Sequence, residues 1–200
     1  MKKLPRHGKT ISFEALWDDY QALCKKAQSP LVQDPDELRY LSTLAQKKDT
    51  YLEVGTSFGG TLWVVGHYLN PGARVVGIDL PKVEPNKAER NERLRQCVDL
   101  VCRELQRRGI NVSMLWTDSH AESTVNAVRY INGRYDLAFI DGDHTYHGVK
   151  QDLENYGKMS DVMVAHDLCL PDVNQAFQEY RVGHRSHAYG KKFRLGILEN

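Results

Sequence analysis

The sequence predicts an α/β fold: a parallel, doubly wound sheet covered by helices and finished by an antiparallel hairpin. Three observations predict it. Short apolar runs alternate with amphipathic helical patterns, the signature of parallel strands joined by helical crossovers. The last two strand candidates follow one another with no helix between them, so they should pair antiparallel. The chain has 200 residues, 41% of them hydrophobic and 26% charged, which suits one domain with a substantial core.

The elements follow in order. Phe13, Leu16, Trp17, Tyr20 and Leu23 recur at helical spacing, and so do Leu38, Leu41 and Leu44 after a Pro35-Asp-Glu start. Tyr51–Val54 is an apolar strand running through a glycine turn into an apolar helix. Asn70-Pro-Gly is a turn, and Arg74–Ile78 is a short strand ending at Asp79. A polar, proline-containing loop spans Pro81 to Glu89. The stretch from Ala88 to Arg108 is a charged helix with Leu94, Val98, Val101, Cys102 and Leu105 on one face, stopped by Gly109. Asn111–Trp116 reads as a strand ending near Asp118-Ser119, and a helix near Glu122–Ile131 precedes Asn132-Gly133. Tyr135–Ile140 is the most apolar strand and ends at Asp141-Gly-Asp-His. A helix over Tyr146–Tyr156 leads to the strand Asp161–Ala165, which ends at His166-Asp167. The helix Asp172–Tyr180 and strand candidates near 184–189 and 193–198 complete the chain.

Several function classes are disfavoured at this level. A formal net charge of +1 gives no global field for nucleic acid or a membrane surface. No apolar run reaches 18 residues, so no spanning helix is expected. The N-terminus, Met1-Lys-Lys-Leu-Pro-Arg-His-Gly-Lys, is basic but lacks the apolar core of a secretory signal. Cys24, Cys97, Cys102 and Cys169 show neither a C-x-x-C pair nor staple-like spacing, as expected of reduced thiols in a cytoplasmic chain without zinc. The local basic cluster His184-Arg185, His187 and Lys191-Lys192-Phe-Arg194 reads as a solvated hairpin.

Ligands of open parallel sheets bind outside the carboxyl ends of the strands. Here all of the first five strands end in polar residues: the 53–60 loop, Asp79, Asp118-Ser119, Asp141 to His144, and His166-Asp167. The first of these narrows the ligand. A dinucleotide fingerprint wants G-x-G-x-x-G, whose second glycine lets a pyrophosphate touch the backbone. This chain reads Glu53-x-Gly55-x-x-x-Gly59, with Ser57 at the second glycine's place. A carboxylate at Glu53 would repel a phosphate but attract a cationic ligand. S-adenosylmethionine carries an ammonium and a sulfonium and no phosphate.

Phe139-Ile-Asp141-Gly-Asp143-His144-Thr-Tyr146, with Asp152-Leu downstream and Ala165-His166-Asp167 at the next strand end, resembles the class I S-adenosylmethionine-dependent methyltransferases. The wording is similar to the small-molecule O-methyltransferases related to macrocin O-methyltransferase. The resemblance covers about residues 36–200, leaving residues 1–35 as an N-terminal helical cap. It implies a Rossmann-like, doubly wound seven-stranded sheet with an antiparallel last strand and helices on both faces. It also implies that Glu53, Gly55, Thr56, Ser57 and Gly59 form the cofactor turn, that Asp79 holds the ribose, and that Asp118 and Ser119 border the adenine. Asp141 then belongs to the active-site end of the fourth strand.

The residue types suit that chemistry. A carboxylate such as Asp79 can accept from both ribose hydroxyls at once, although an acid at a strand end is also a common turn residue. Asp118 could accept from the adenine amino group, and Asp-Ser is equally a helix cap. For the transfer, the acceptor oxygen must be aligned with the methyl and lose its proton. Asp141, Asp167 and His166 could hold a divalent ion that lowers the acceptor's pKa. Related enzymes that use a metal mostly place oxygen ligands where His166 stands, which disfavours magnesium and leaves manganese or no metal. Alternatively His144 acts as general base without an ion. His147 lies three residues on and reads as structural.

The leading expectation is methyl transfer to a hydroxyl of a small molecule, a sugar or a phenol. A protein that binds S-adenosylmethionine without catalysis, serving as a regulatory or scaffold subunit, is the second reading. Asp141, His144 and Asp167 argue against it. A nicotinamide dehydrogenase is the third, and Ser57 and Glu53 argue against that. The short cap suggests an open site or one completed by a partner subunit of a homo-oligomer.

Overall fold

The computed structural model describes residues 12–27, 34–80, 88–191 and 194–200, with backbone alone for 23–27. The basic N-terminus, the loop from Pro81 to Lys87, and Lys192 and Phe193 of the basic cluster lie outside the described residues. The side chains of Leu23 and Cys24 do too.

Seven strands form one sheet in the order β3-β2-β1-β4-β5-β7-β6. Strands β1 (Thr50–Val54), β2 (Arg74–Asp79), β3 (Asn111–Trp116), β4 (Tyr135–Ile140) and β5 (Ser160–Ala165) run parallel. The last strand, β7 (Leu195–Glu199), inserts antiparallel between β5 and β6 (Arg185–Tyr189). The expected Rossmann-like sheet with its antiparallel last strand is therefore present. β7 begins at Leu195, directly after Arg194, whose φ of 65° departs from extended backbone.

Alternate residues of each central strand face opposite layers, as the period of two requires. Tyr51, Val75, Leu137, Phe139 and Val164 face one cluster with α1 (Phe13–Ala27), α2 (Pro35–Ala45), α3 (Gly60–Tyr68) and α4 (Ala88–Arg107). Leu52, Val54, Val76, Ile78, Ala138, Ile140 and Met163 face the other, with α5 (Glu122–Asn132), α6 (Tyr146–Tyr156) and α7 (Pro171–Tyr180). β1 is buried along its whole length, as a central parallel strand covered on both faces should be. Deleting most of a fully buried side chain such as Leu137 would cost about 2–5 kcal/mol.

The helix starts are built locally. Asp34 caps α2 by accepting from the amides of Asp36 and Glu37 at 3.0 and 3.2 Å, with Pro35 in the first turn. Thr145 caps α6 through Gly148 N–H at 3.1 Å. No described helix is long and apolar enough to cross a membrane. The strand order reverses between β1 and β4, and the polar strand ends gather around that crevice.

Candidate active site

The turn after β1 is made by backbone. Gly55, Ser57 and Gly59 all take left-handed conformations, with φ of 88°, 47° and 81°. Gly55 also lies against the end of β4: a Cβ placed on it would stand 2.0 Å from the carbonyl oxygen of Asp141. Only glycine satisfies both constraints. Gly59 caps α3 without a side-chain hydrogen bond, and in the first turn the Leu62 amide donates to Glu53. Thr56 is buried and its hydroxyl points at Ile78 O, a structural role within the turn.

Glu53 requires a correction to its expected role. Its side chain is fully buried rather than open to a cation, and Tyr51 Oη donates to it at 2.6 Å. Burial raises its pKa to about 8, with Asp141 and Asp79 adding to the shift against the hydrogen bond from Tyr51. Near neutral pH it is mostly protonated, and it supports the turn from behind. Its place on β1 explains this, because Glu53 shares the inward face of Tyr51.

At the end of β2, Asp79 accepts from the Ser57 amide at 2.5 Å, which joins the ends of β1 and β2. Burial raises its pKa, opposed by the Ser57 amide and by Arg90. At the end of β3, Asp118 accepts from the His120 amide at 2.9 Å, and Ser119 donates to Asp152 at 2.8 Å. The helix-cap alternative for this pair is not met, since α5 starts from Ala121 with no side-chain cap bond; Asp118 closes a local turn and its side chain stays exposed.

The ends of β4 and β5 bring four side chains together. His144 Nε2 lies 3.3 Å from Asp141 Oδ1 and 3.3 Å from Asp167 Oδ2. His166 Nδ1 lies 3.2 Å from Asp141 Oδ1 and 3.4 Å from Asp167 Oδ1. Two imidazoles therefore alternate with two carboxylates. Asp167 reaches the group by taking φ 59°, a left-handed conformation that Asp and Asn enter more readily than most residues. Burial works against charge on Asp141, but the two imidazoles overcome it and hold its pKa low. Hydrogen bonding to Asp141 raises that of His144. For His166 burial opposes the charge, and hydrogen bonds that it donates to Asp141 and Asp167 still push its pKa up to about 10.

This changes the expected ligand set. The group that presents one donor atom from each residue, all within 4.8 Å of one another, is Asp141, His144 and Asp167. His166, less exposed than His144, turns Nδ1 to the same two carboxylates.

Two acids escaped notice as site residues. Glu37 of α2 is buried, its Oε2 3.4 Å from His166 Nε2 and its Oε1 accepting from the Arg194 amide at 2.9 Å. No local signal marks it, since in sequence it is one acid of a helical first turn. Asp152 is fully buried, with a pKa raised to about 6 by burial against the hydrogen bond from Ser119. It binds Ser119 and lies 3.3 Å from His120 Nε2, tying α6 to the loop after β3. Asp143 accepts from the Thr145 amide at 2.8 Å and packs on Gly148, a local turn function. His147 lies edge-on to Tyr146, away from the four-residue cluster. In the basic cluster His184 stacks on Tyr180, Arg185 pairs with Glu199 at 3.4 Å, and His187 meets Tyr40 Oη at 2.8 Å.

Residues 52–167 match a family described as a methyltransferase domain. The match runs from β1 to Asp167, so it spans every site residue nominated by sequence and leaves Glu37 outside. Among solved structures, the fold is similar to that of cofactor-bound Rv0187 from MTB, with a TM-score of 0.69 and 15% identity over 92% of this chain and 88% of that one. A methyltransferase from Geobacter sulfurreducens gives 0.60 and 15%, covering 99% and 91%. The TDP-rhamnose 3'-O-methyltransferase of calicheamicin biosynthesis gives 0.56 and 18%, covering 94% and 95%. No curated protein matches in sequence.

Proposed function

This chain belongs to the methyltransferase-domain family, and from that premise we propose that it moves a methyl group from S-adenosylmethionine to a hydroxyl oxygen of a small molecule, a sugar or a phenol. The macrocin-type O-methyltransferases are the relatives we assign it to, with residues 36–200 as the catalytic domain and 1–35 as its cap. The observation that carries the reading is the meeting of Asp141, His144 and Asp167 beside the Gly55 turn. A cofactor held by that turn would lie next to groups able to take a proton.

S-adenosylmethionine supplies the electrophilic methyl group and a neutral sulfide leaving group. The residues fit it. The left-handed Gly55 and Gly59 would let the backbone approach its amino-acid end, toward which the start of α3 would turn its first amides. Asp79 would accept from the ribose hydroxyls, and Asp118 and Ser119 would border the adenine. Asp141 and Asp167 would hold His144 by its Nε2–H, and the imidazole's other nitrogen would take the acceptor's proton. Asp141, His144 and Asp167 also fit a divalent ion of the manganese type, with two carboxylate oxygens and one nitrogen. Such an ion would supply Lewis acidity that lowers the acceptor's pKa.

The test is transfer of labelled methyl from S-adenosylmethionine across a panel of sugars and phenols, with and without a chelator. Product on at least one hydroxyl is expected. Chelator-resistant turnover that collapses in His144→Ala assigns the proton transfer to His144 alone. Chelator-sensitive turnover restored by manganese assigns an ion. A chain that binds the cofactor yet methylates nothing on the panel would instead be a binding protein.

A further inference from the structure

We propose that Glu37 is a positioning residue for the reactive cluster, holding His166 by its far ring nitrogen so that the near one stays between Asp141 and Asp167. The inference rests on the reading of that cluster as the site of methyl transfer.

Glu37 is only 3% exposed, and a carboxylate so deeply placed needs partners. It has them on two sides. Oε1 accepts from the Arg194 amide at 2.9 Å, and Gly190 packs so close that a Cβ there would lie 2.2 Å from the same oxygen. The turn between β6 and β7 therefore clamps the carboxylate. Oε2 stands 3.4 Å from His166 Nε2.

His166 is itself 7% exposed, with its ring 5.6 Å from that of Phe139. An imidazole packed in this way can still exchange its two nitrogens by a ring flip. Which nitrogen faces the functional groups is set by the hydrogen bond that the other one makes. Glu37 Oε2, an ion-pair partner 3.4 Å from Nε2, is the carboxylate placed to take that role. With Nε2 held, Nδ1 stays 3.2 and 3.4 Å from Asp141 and Asp167 and separates two carboxylates that would otherwise repel. An N-terminal helix outside the matched 52–167 span thus sets the geometry of the reacting groups.

Nitrogen-15 NMR of the full chain labelled at histidine tests this, with signals assigned by their loss in His166→Gln. In the wild type both ring nitrogens of His166 should carry hydrogen, and the Nε2 hydrogen should exchange slowly. Glu37→Gln should shift the His166 signals and speed that exchange at least about tenfold. The surface variant Arg39→Ala, on the same helix, should leave them in place. On the acceptor found by the panel, Glu37→Gln should lower kcat about tenfold with KM and cofactor affinity within about twofold. A mere latch for the β6–β7 turn would not produce that split.

An Nε2 without hydrogen in the wild type overturns the proposal, and needs no variant to fold. Unmoved His166 signals in folded Glu37→Gln overturn it too. If no acceptor is methylated, the methyl-transfer reading fails, while the ring-nitrogen signals still uphold or overturn the placement of His166 by Glu37.

Discussion

The β1–β2 half of the rim and the β4–β5 half lie side by side on one sheet, yet they are made by different means. The first is shaped by backbone: three left-handed residues, an uncapped helix start, and an amide that ties Ser57 to Asp79. All of its parts fall between Glu53 and Asp79. The second is shaped by ionisable side chains, Asp141, His144, His166 and Asp167, backed by Glu37 from a distant helix. A backbone site is sensitive to volume and φ. A side-chain site is sensitive to charge and to which atom faces which. The two touch at Gly55, whose Cα rests on the Asp141 carbonyl.

Perturbations should therefore sort by half. The largest effect is expected at the point of contact. Gly55→Val would put a branched side chain into the Asp141 backbone at a positive φ, and S-adenosylmethionine binding should fall below detection by calorimetry. Normal binding in this variant would mean that the turn holds no ligand. Next, His144→Ala should lower kcat about 10²–10⁴-fold while cofactor affinity stays unchanged, and Asp141→Ala should behave alike. Full activity in both would remove the chemistry from this half. Asp79→Ala should show the reverse pattern, weakening cofactor binding roughly 10- to 150-fold through two lost ribose hydrogen bonds. Unchanged affinity would detach the ribose from Asp79.

The smallest effect concerns Glu53 and pH. Its pKa rises from an ordinary 4.5 to about 8 on folding, so the folded chain keeps a proton that the unfolded chain loses. The stability this gives is complete below pH 4.5 and is lost as pH rises through 8. Glu53→Gln lacks the titration and should gain on the wild type as pH climbs from 5 to 9. The gain in Tm is about 2–4 °C per kcal/mol for a chain of this size. Parallel melting curves for the two proteins would place an ionised Glu53 in the turn instead.

The same division explains what could be read from sequence. Strand ends, the glycine turn and the Asp141-to-His144 run are local features, and a period of two or a fixed spacing displays them. The parallel sheet and its antiparallel terminal hairpin followed from alternation and from the missing helix before the last strand, whereas the strand order did not. Glu37 was invisible because its meaning depends on Arg194 and His166, both far along the chain. Glu53 was legible as an acid but not as a protonated one, since burial is a property of the assembled layers. The exchange of His166 for His144 in the candidate ligand set has the same origin: spacing cannot tell which of two imidazoles lies in front.

The left-handed backbone at Asp167 has one more consequence. A turn held at φ 59° filters the residues that can occupy it, admitting glycine, asparagine and aspartate far more readily than any β-branched or bulky side chain. Of those three only aspartate carries a charge. The shape of the chain after β5 thus preselects the chemistry available there before any substrate is considered. In a directed-evolution library position 167 would be conformationally silent to Asn and Gly and costly to most other residues, alanine included. Asn, rather than alanine, is therefore the substitution that removes the charge and leaves the turn as it was.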